Sequence, residues 1–189
     1  MSISPEALAD LRAALADLRP YAGLREWRPN RERGEFGVGE DFVEALDRQF
    51  GESFVSLRAR GRGADPPDLE AMDVSGRSVG IEVTEIVDVI AIKRCIAAKV
   101  HEHANWDAPK LGEHIKQALL RKAQIELNGG PYEECILVLF TNEYLLDFDR
   151  VERWLREETF AQPMAFSRAF LSLDYQPGQG YPLVPVRWA

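Results

Sequence analysis

The residues of this sequence that could do chemistry are carboxylates on neighbouring strands. In Gly80-Ile81-Glu82-Val83-Thr84, residues two apart on an extended chain point to one face, so Glu82 and Thr84 share a side of a sheet. Ile81, Val83 and Ile86 flank them, which places Glu82 at a largely buried strand centre. A charge held there without a partner is costly, and a bound cation is one way to offset that cost. Pro67-Asp68 opens the preceding strand, and a hairpin between the two strands brings Asp68 and Glu82 to one end of the sheet. Two carboxylates with a backbone carbonyl suit Mg²⁺, or Mn²⁺ in its place. Such an ion orients and deprotonates a water and stabilises the charge that builds on a phosphodiester under attack. Glu40, on the helix before these strands, is the candidate third acid.

The elements that must hold these residues follow from periodicity and punctuation. Ser4-Pro5-Glu6 supplies an N-cap, a proline at the first helical position and an acid in the first turn, and Leu11, Leu15 and Leu18 follow at helical spacing up to Pro20. Residues 21–39, with glycines and Arg25, Arg28, Arg31 and Arg33, read as an irregular basic connector that could face a partner. Phe42, Val43, Leu46 and Phe50 predict a second helix over 40–50, stopped by Gly51. Strands are predicted over 53–60, 67–74 and 78–87, the last two joined by the turn chemistry of Asp73-Val74-Ser75-Gly76-Arg77. A helix over 89–104, a loop at 105–109 and a long helix over 110–127 follow, the last stopped by Asn128-Gly129-Gly130-Pro131. The apolar run 135–140 suits a strand buried on both faces. Asp147 or Asp149 caps a further helix, 165–173 alternates, and 182–188 reads as an edge strand because Pro182 and Pro185 cannot donate ladder bonds. This order predicts a single α/β domain over residues 1–189 with a mixed central sheet.

Composition bounds the function. Lys and Arg total 23 against 31 Asp and Glu, a formal charge of −8, which is the wrong sign for gripping nucleic acid by bulk charge. A nucleic-acid function therefore needs a local basic surface. Cys95 and Cys135 have no zinc-type spacing, so neither a disulfide framework nor a structural metal is implied. The opening residues lack a leader pattern, and the apolar runs are far shorter than the roughly 20 residues of a membrane span. A soluble, cytoplasmic protein is the expectation.

Pro67-Asp68, the embedded Glu82 of Glu82-Val83-Thr84 and the helix acid Glu40 together resemble the motifs of the PD-(D/E)XK nuclease superfamily, whose fold is called restriction-endonuclease-like. The resemblance covers about residues 40–141 and implies a core of a helix, three antiparallel strands, a helix and a further strand, with extra N- and C-terminal elements. It implies metal-dependent hydrolysis of DNA, with Asp68, Glu82 and Glu40 around Mg²⁺ or Mn²⁺. The sequence departs from the family pattern at Thr84, where the pattern has lysine. In some members that lysine comes from the next helix, and here Lys122 interrupts the apolar line Leu111, Ile115, Ala118 and Ile125. A lysine in that stripe either snorkels to water or points back to Glu82 and Asp68 and stabilises charge on the phosphate. The alternative reading of the whole chain is a catalytically inactive nuclease fold that serves as a nucleic-acid or protein interaction module.

Arg58, Arg60 and Arg62 alternate along an extended segment, and Gly61 and Gly63 let the backbone approach a ligand, so these arginines, with Lys116 on the long helix, are the candidate nucleic-acid contacts. The same arginines also suit a solubilising strand face. Trp27 and Trp106 sit in predicted loops, where they either stack on bases or plug the core. His101 and His103, two apart on a helix, point in roughly opposite directions and are discounted as metal ligands, and Glu85 and His114 read as surface groups. No Walker-type loop and no GxSxG elbow occurs. The expected partner is nucleic acid, DNA first, with no membrane, and a homodimer is left open.

Overall fold

Strands largely buried on both faces and tight turn chemistry build the sheet that carries the carboxylates. The computed structural model describes residues 31–189 apart from Arg62, Asp65, residues 99–103 and Tyr144. The expected first helix, most of the basic connector, Trp27, Arg62, His101 and His103 lie outside the described residues. In chain order the elements are α1 (Arg31–Phe50), β1 (Phe54–Ala59), β2 (Leu69–Asp73), β3 (Ser78–Glu85), α2 (Val89–Ala98), α3 (Ala108–Lys122), β4 (Glu134–Phe140), α4 (Phe148–Leu155), β5 (Arg168–Ser172) and β6 (Leu183–Val186). The strands form one six-stranded sheet in the order β1-β2-β3-β4-β5-β6. The first three are antiparallel, β3, β4 and β5 run parallel, and β6 returns antiparallel at the edge. The expected α/β class with a mixed sheet is met. No helix among the described residues is long and apolar enough to cross a membrane.

The chain divides into two compact units, one of Gly23–Val87 with Asn105–Ala189, the other containing Asp88–Ala104. In the second, Asp88 starts α2 by accepting the N–H groups of Ile90 and Ala91.

In the larger unit the β2–β3 turn is set by Asp73, whose carboxylate accepts the N–H groups of Ser75 and Arg77, while Gly76 takes φ +80°. Leu69 then stands opposite Ile81, and Glu70 opposite Gly80. Leu69, Ala71, Val79, Ile81 and Val83 enter the core against Val38, Phe42, Ala45 and Leu46 of α1. Glu82 and Thr84 alternate with these residues and so face the other side of the sheet, toward α3. That helix is started by Asp107, which accepts the N–H of Lys110, and it buries Leu111, Ile115, Ala118 and Leu119.

The helix expected over 89–104 is described as Val89–Ala98, with Ala104 outside it, and in the larger unit two boundaries differ clearly from expectation. Residues 31–39 are helical rather than irregular, because α1 gains more from packing than its three glycines lose in helix propensity, about 1 kcal/mol each. Gly39 is where α1 lies close to the sheet: a Cβ there would stand 2.2 Å from Leu69 Cδ1. The long helix ends at Lys122 and not at residue 127, because tight turns follow (Ala123 N–H to Leu120 C=O, Ile125 N–H to Lys122 C=O) and Asn128 N–H then bonds the Pro66 carbonyl.

The Gly39 contact yields an opposite sign to ordinary helix propensity. On an open helix surface Gly39→Ala would stabilise by about 1 kcal/mol; against fully buried Leu69 it is expected to destabilise by about 1–3 kcal/mol. Urea unfolding of the two proteins checks this, and an alanine variant as stable as the parent or more so overturns it.

Candidate active site

Asp68 and Glu82 hold each other in place through the backbone. The Asp68 N–H donates to Glu82 Oε2 at 3.2 Å, and the Val83 N–H donates to Asp68 Oδ2 at 2.8 Å. Each carboxylate thus takes a main-chain donor from the segment that carries the other. This crossed pair forms where β2 begins, so that Val83, beyond the last β2 partner, turns its N–H to a side chain instead. Lys122, the last residue of α3, closes the set: its Nζ lies 2.5 Å from Glu82 Oε1. Asp68 and Glu82 are only 4% and 3% exposed. Of the two alternatives the helix stripe leaves open for Lys122, snorkelling to water or pointing back to the carboxylates, the lysine takes the second and reaches Glu82 from α3.

Glycine at position 80 makes the approach possible. A Cβ there would meet the Pro67 ring at 3.1 Å, Cys135 Sγ at 3.2 Å and the Tyr132 ring at 3.5 Å. The proline lies over the bare backbone two residues before Glu82, which brings Asp68 down onto the strand. In the sequence the signal is the Gly80-Ile81-Glu82 spacing, since a glycine inside a strand marks a close approach of other groups.

Burial pushes the Glu82 carboxyl up to about 7, and the charge of Asp68 adds to the effect, while Lys122 pulls it back. Desolvation thus outweighs the lysine, and the carboxyl stays easier to protonate than an ordinary glutamate. Thr84, two residues on from Glu82, is buried, and its Oγ1 has no hydrogen-bond partner among the described residues.

The third acid is not brought to this pair. Glu40 is exposed on the side of α1 away from the sheet, and the buried acid of that helix is Glu35. Among the described residues, no group of three or more His, Cys, Asp or Glu side chains gathers to hold a metal ion. The donor set is the two carboxylates.

The basic residues divide. Arg58 is 74% exposed and pairs at 3.0 Å with Glu70. Arg60 turns inward, with its side chain 12% exposed, so it is not available as an open phosphate contact. Lys116 is exposed on α3 and lines a cavity of about 450 Å³ with Leu119, Phe160 and Pro163, on a different line of the helix from Lys122. Trp106 is a core plug, 4% exposed and edge-on to His114 at 4.9 Å, rather than a base-stacking platform. Glu85 is half-buried at the end of β3.

No protein-family model, no curated protein and no solved structure matches the chain.

The Glu82 geometry fixes a pH dependence. A carboxyl held at about 7 in the fold against an ordinary 4.5 keeps a proton that the unfolded chain releases, so its stabilising contribution is full below 4.5 and is lost as pH rises to about 7. In EDTA, stability is expected to fall by on the order of 1–3 kcal/mol across that window, and Glu82→Gln to flatten the slope. Urea unfolding at a series of pH values reads this directly. An unchanged slope in Glu82→Gln contradicts it.

Proposed function

We propose that this chain is a metal-dependent phosphodiesterase acting on DNA, a divergent member of the PD-(D/E)XK nuclease superfamily with a restriction-endonuclease-like core. The observation that carries this reading is the meeting of Asp68, Glu82 and Lys122 from three separate segments, with the lysine arriving from α3.

The residues present fit a hard divalent cation. Both carboxylates are buried and fixed by main-chain donors. Asp68 and Glu82 would hold Mg²⁺ or Mn²⁺, with waters completing the shell. Bound there, the ion would supply Lewis acidity and a coordinated water more acidic than bulk water. Lys122 brings a fixed ammonium to the same carboxylate, where it orients a water and meets the charge that develops on the phosphate. Arg58, exposed on β1, is the described basic group of its segment that stands open to a DNA backbone. With a net charge of −8 behind it, DNA binding is modest and strongly salt-dependent.

A second reading, an inactive fold used as an interaction module, is favoured by one feature: the Glu82–Lys122 pair satisfies the buried carboxylate without a metal, and Thr84 stands where the strand lysine would be.

Incubating the purified protein with linear double-stranded and single-stranded DNA, with Mg²⁺, Mn²⁺ or EDTA, separates the two readings. Cleavage is expected with either metal and not with EDTA. Asp68→Ala and Glu82→Ala are expected to lower the rate by at least about 10²-fold and Lys122→Ala by on the order of 10²-fold. No cleavage, together with Mn²⁺ binding that Glu82→Ala leaves intact, sinks the enzyme reading. Cleavage by Lys122→Ala at the parent rate removes the lysine from the mechanism.

A further inference from the structure

Arg60 makes more contacts than a surface arginine needs, and they converge on two segments that carry the site. Its Nη1 donates to the Asn128 carbonyl at 2.5 Å and to the Pro66 carbonyl at 3.3 Å. Its main-chain N–H donates to the Asp68 carbonyl at 3.0 Å. The two segments also bond each other, Asn128 N–H to Pro66 C=O at 2.6 Å. Glu70 sits 3.7 Å from Arg60 Nε, and the guanidinium lies 5.8 Å from the centre of the Tyr132 ring. The loop is shaped around this side chain: at Gly129, φ +76°, a Cβ would stand 2.5 Å from Arg60 Nη2.

Pro66 precedes Asp68 by two residues, and Asn128 follows Lys122 after two tight turns. The strand-entry segment and the loop leaving α3 therefore share one planar, multiply donating cation. We propose that Arg60 is a positioning residue that fixes Asp68, and through the Asn128 loop the end of α3 with Lys122, relative to Glu82. It acts through carbonyl groups and Glu70 and does not touch the substrate. For its effect on the reaction this rests on the nuclease reading above; for its effect on the geometry it does not.

The reporter is the Val83 amide, whose hydrogen bond goes to the Asp68 carboxylate. Hydrogen exchange in Arg60→Met is expected to speed at Val83 about tenfold relative to Val138 in the centre of the sheet. Equal acceleration at both amides, or none at Val83, overturns the proposal, since a purely structural loss opens the sheet as a whole. Arg60→Lys keeps a charge beside Glu70 but not the fork, and is expected to repeat the local effect; it also serves if the methionine variant does not fold. Exchange in Arg60→Lys equal to the parent shows that charge alone suffices and rejects the positioning role. In the cleavage assay with Mn²⁺, the variants are expected to lose about tenfold or more in kcat with KM within about twofold. A raised KM with kcat unchanged and a weaker salt dependence makes Arg60 a phosphate contact instead. If the parent protein cleaves nothing, the nuclease reading fails on that result, and the exchange ratio still decides the role of Arg60.

Discussion

The burial of Glu82 is the constraint on which the rest of the site depends. A carboxylate at the middle of a sheet, 3% exposed, cannot be left without donors or counter-charge. The fold answers from three sides: the Asp68 N–H reaches one oxygen, Lys122 the other, and the Asp68 carboxylate is itself held by the N–H next to Glu82. Each answer constrains an element. β2 must begin where Asp68 meets Val83, α3 must carry its last turn to Glu82, and residue 80 must lack a side chain so that Pro67 can lie over the strand. A buried pair of this kind gives little net stability against an apolar alternative, but removing one partner leaves an uncompensated charge. The pair therefore fixes where β2, β3 and α3 meet more than it adds to net stability.

Those features that rest on local pattern were legible in the sequence. The β2–β3 hairpin follows from alternation and from the Asp73 turn, and the inward lysine shows as a charge at an apolar phase of its helix. What depends on distant packing was not. The start of α1 is hidden by glycines that only the sheet makes acceptable. That error misplaced the acid as well: a helix begun at residue 40 puts Glu40 near the apolar line, whereas the full helix centres its core face on Val38, Phe42, Ala45 and Leu46 and turns Glu40 outward. Arg60 was illegible for the same reason, since its partner Asn128 lies 68 residues away. An arginine at the end of an edge strand reads as a phosphate contact until the loop that claims its donors is in place.

The arginines bear on the objection that an acidic chain should not bind a polyanion. Several of those described are tied to nearby carboxylates: Arg168 to Glu52 and Glu134, Arg77 to Asp73, and Arg156 to Glu152. Such pairs cancel locally and leave the excess acids to set the overall charge of −8. The field that matters to a phosphate is the one at the mouth of the site, and an exposed pair such as Arg58 with Glu70 can exchange its partner for a phosphate at small cost. The acidic total thus argues against tight binding and leaves the chemistry open.

Thr84 then gains a physical reason. It stands on the same face as Glu82, two residues on, buried at 6% exposure. The lysine from α3 already occupies the approach to Glu82 at 2.5 Å. A second lysine at position 84 would bring a longer side chain into a packed interior and a second ammonium toward the same carboxylate, with repulsion between the two at low dielectric. A small residue at 84 is therefore the complement of a lysine at 122. The interruption of the helix stripe at Lys122 and the small residue at 84 thus belong to one arrangement, in which the cation beside Glu82 comes from α3 and not from β3.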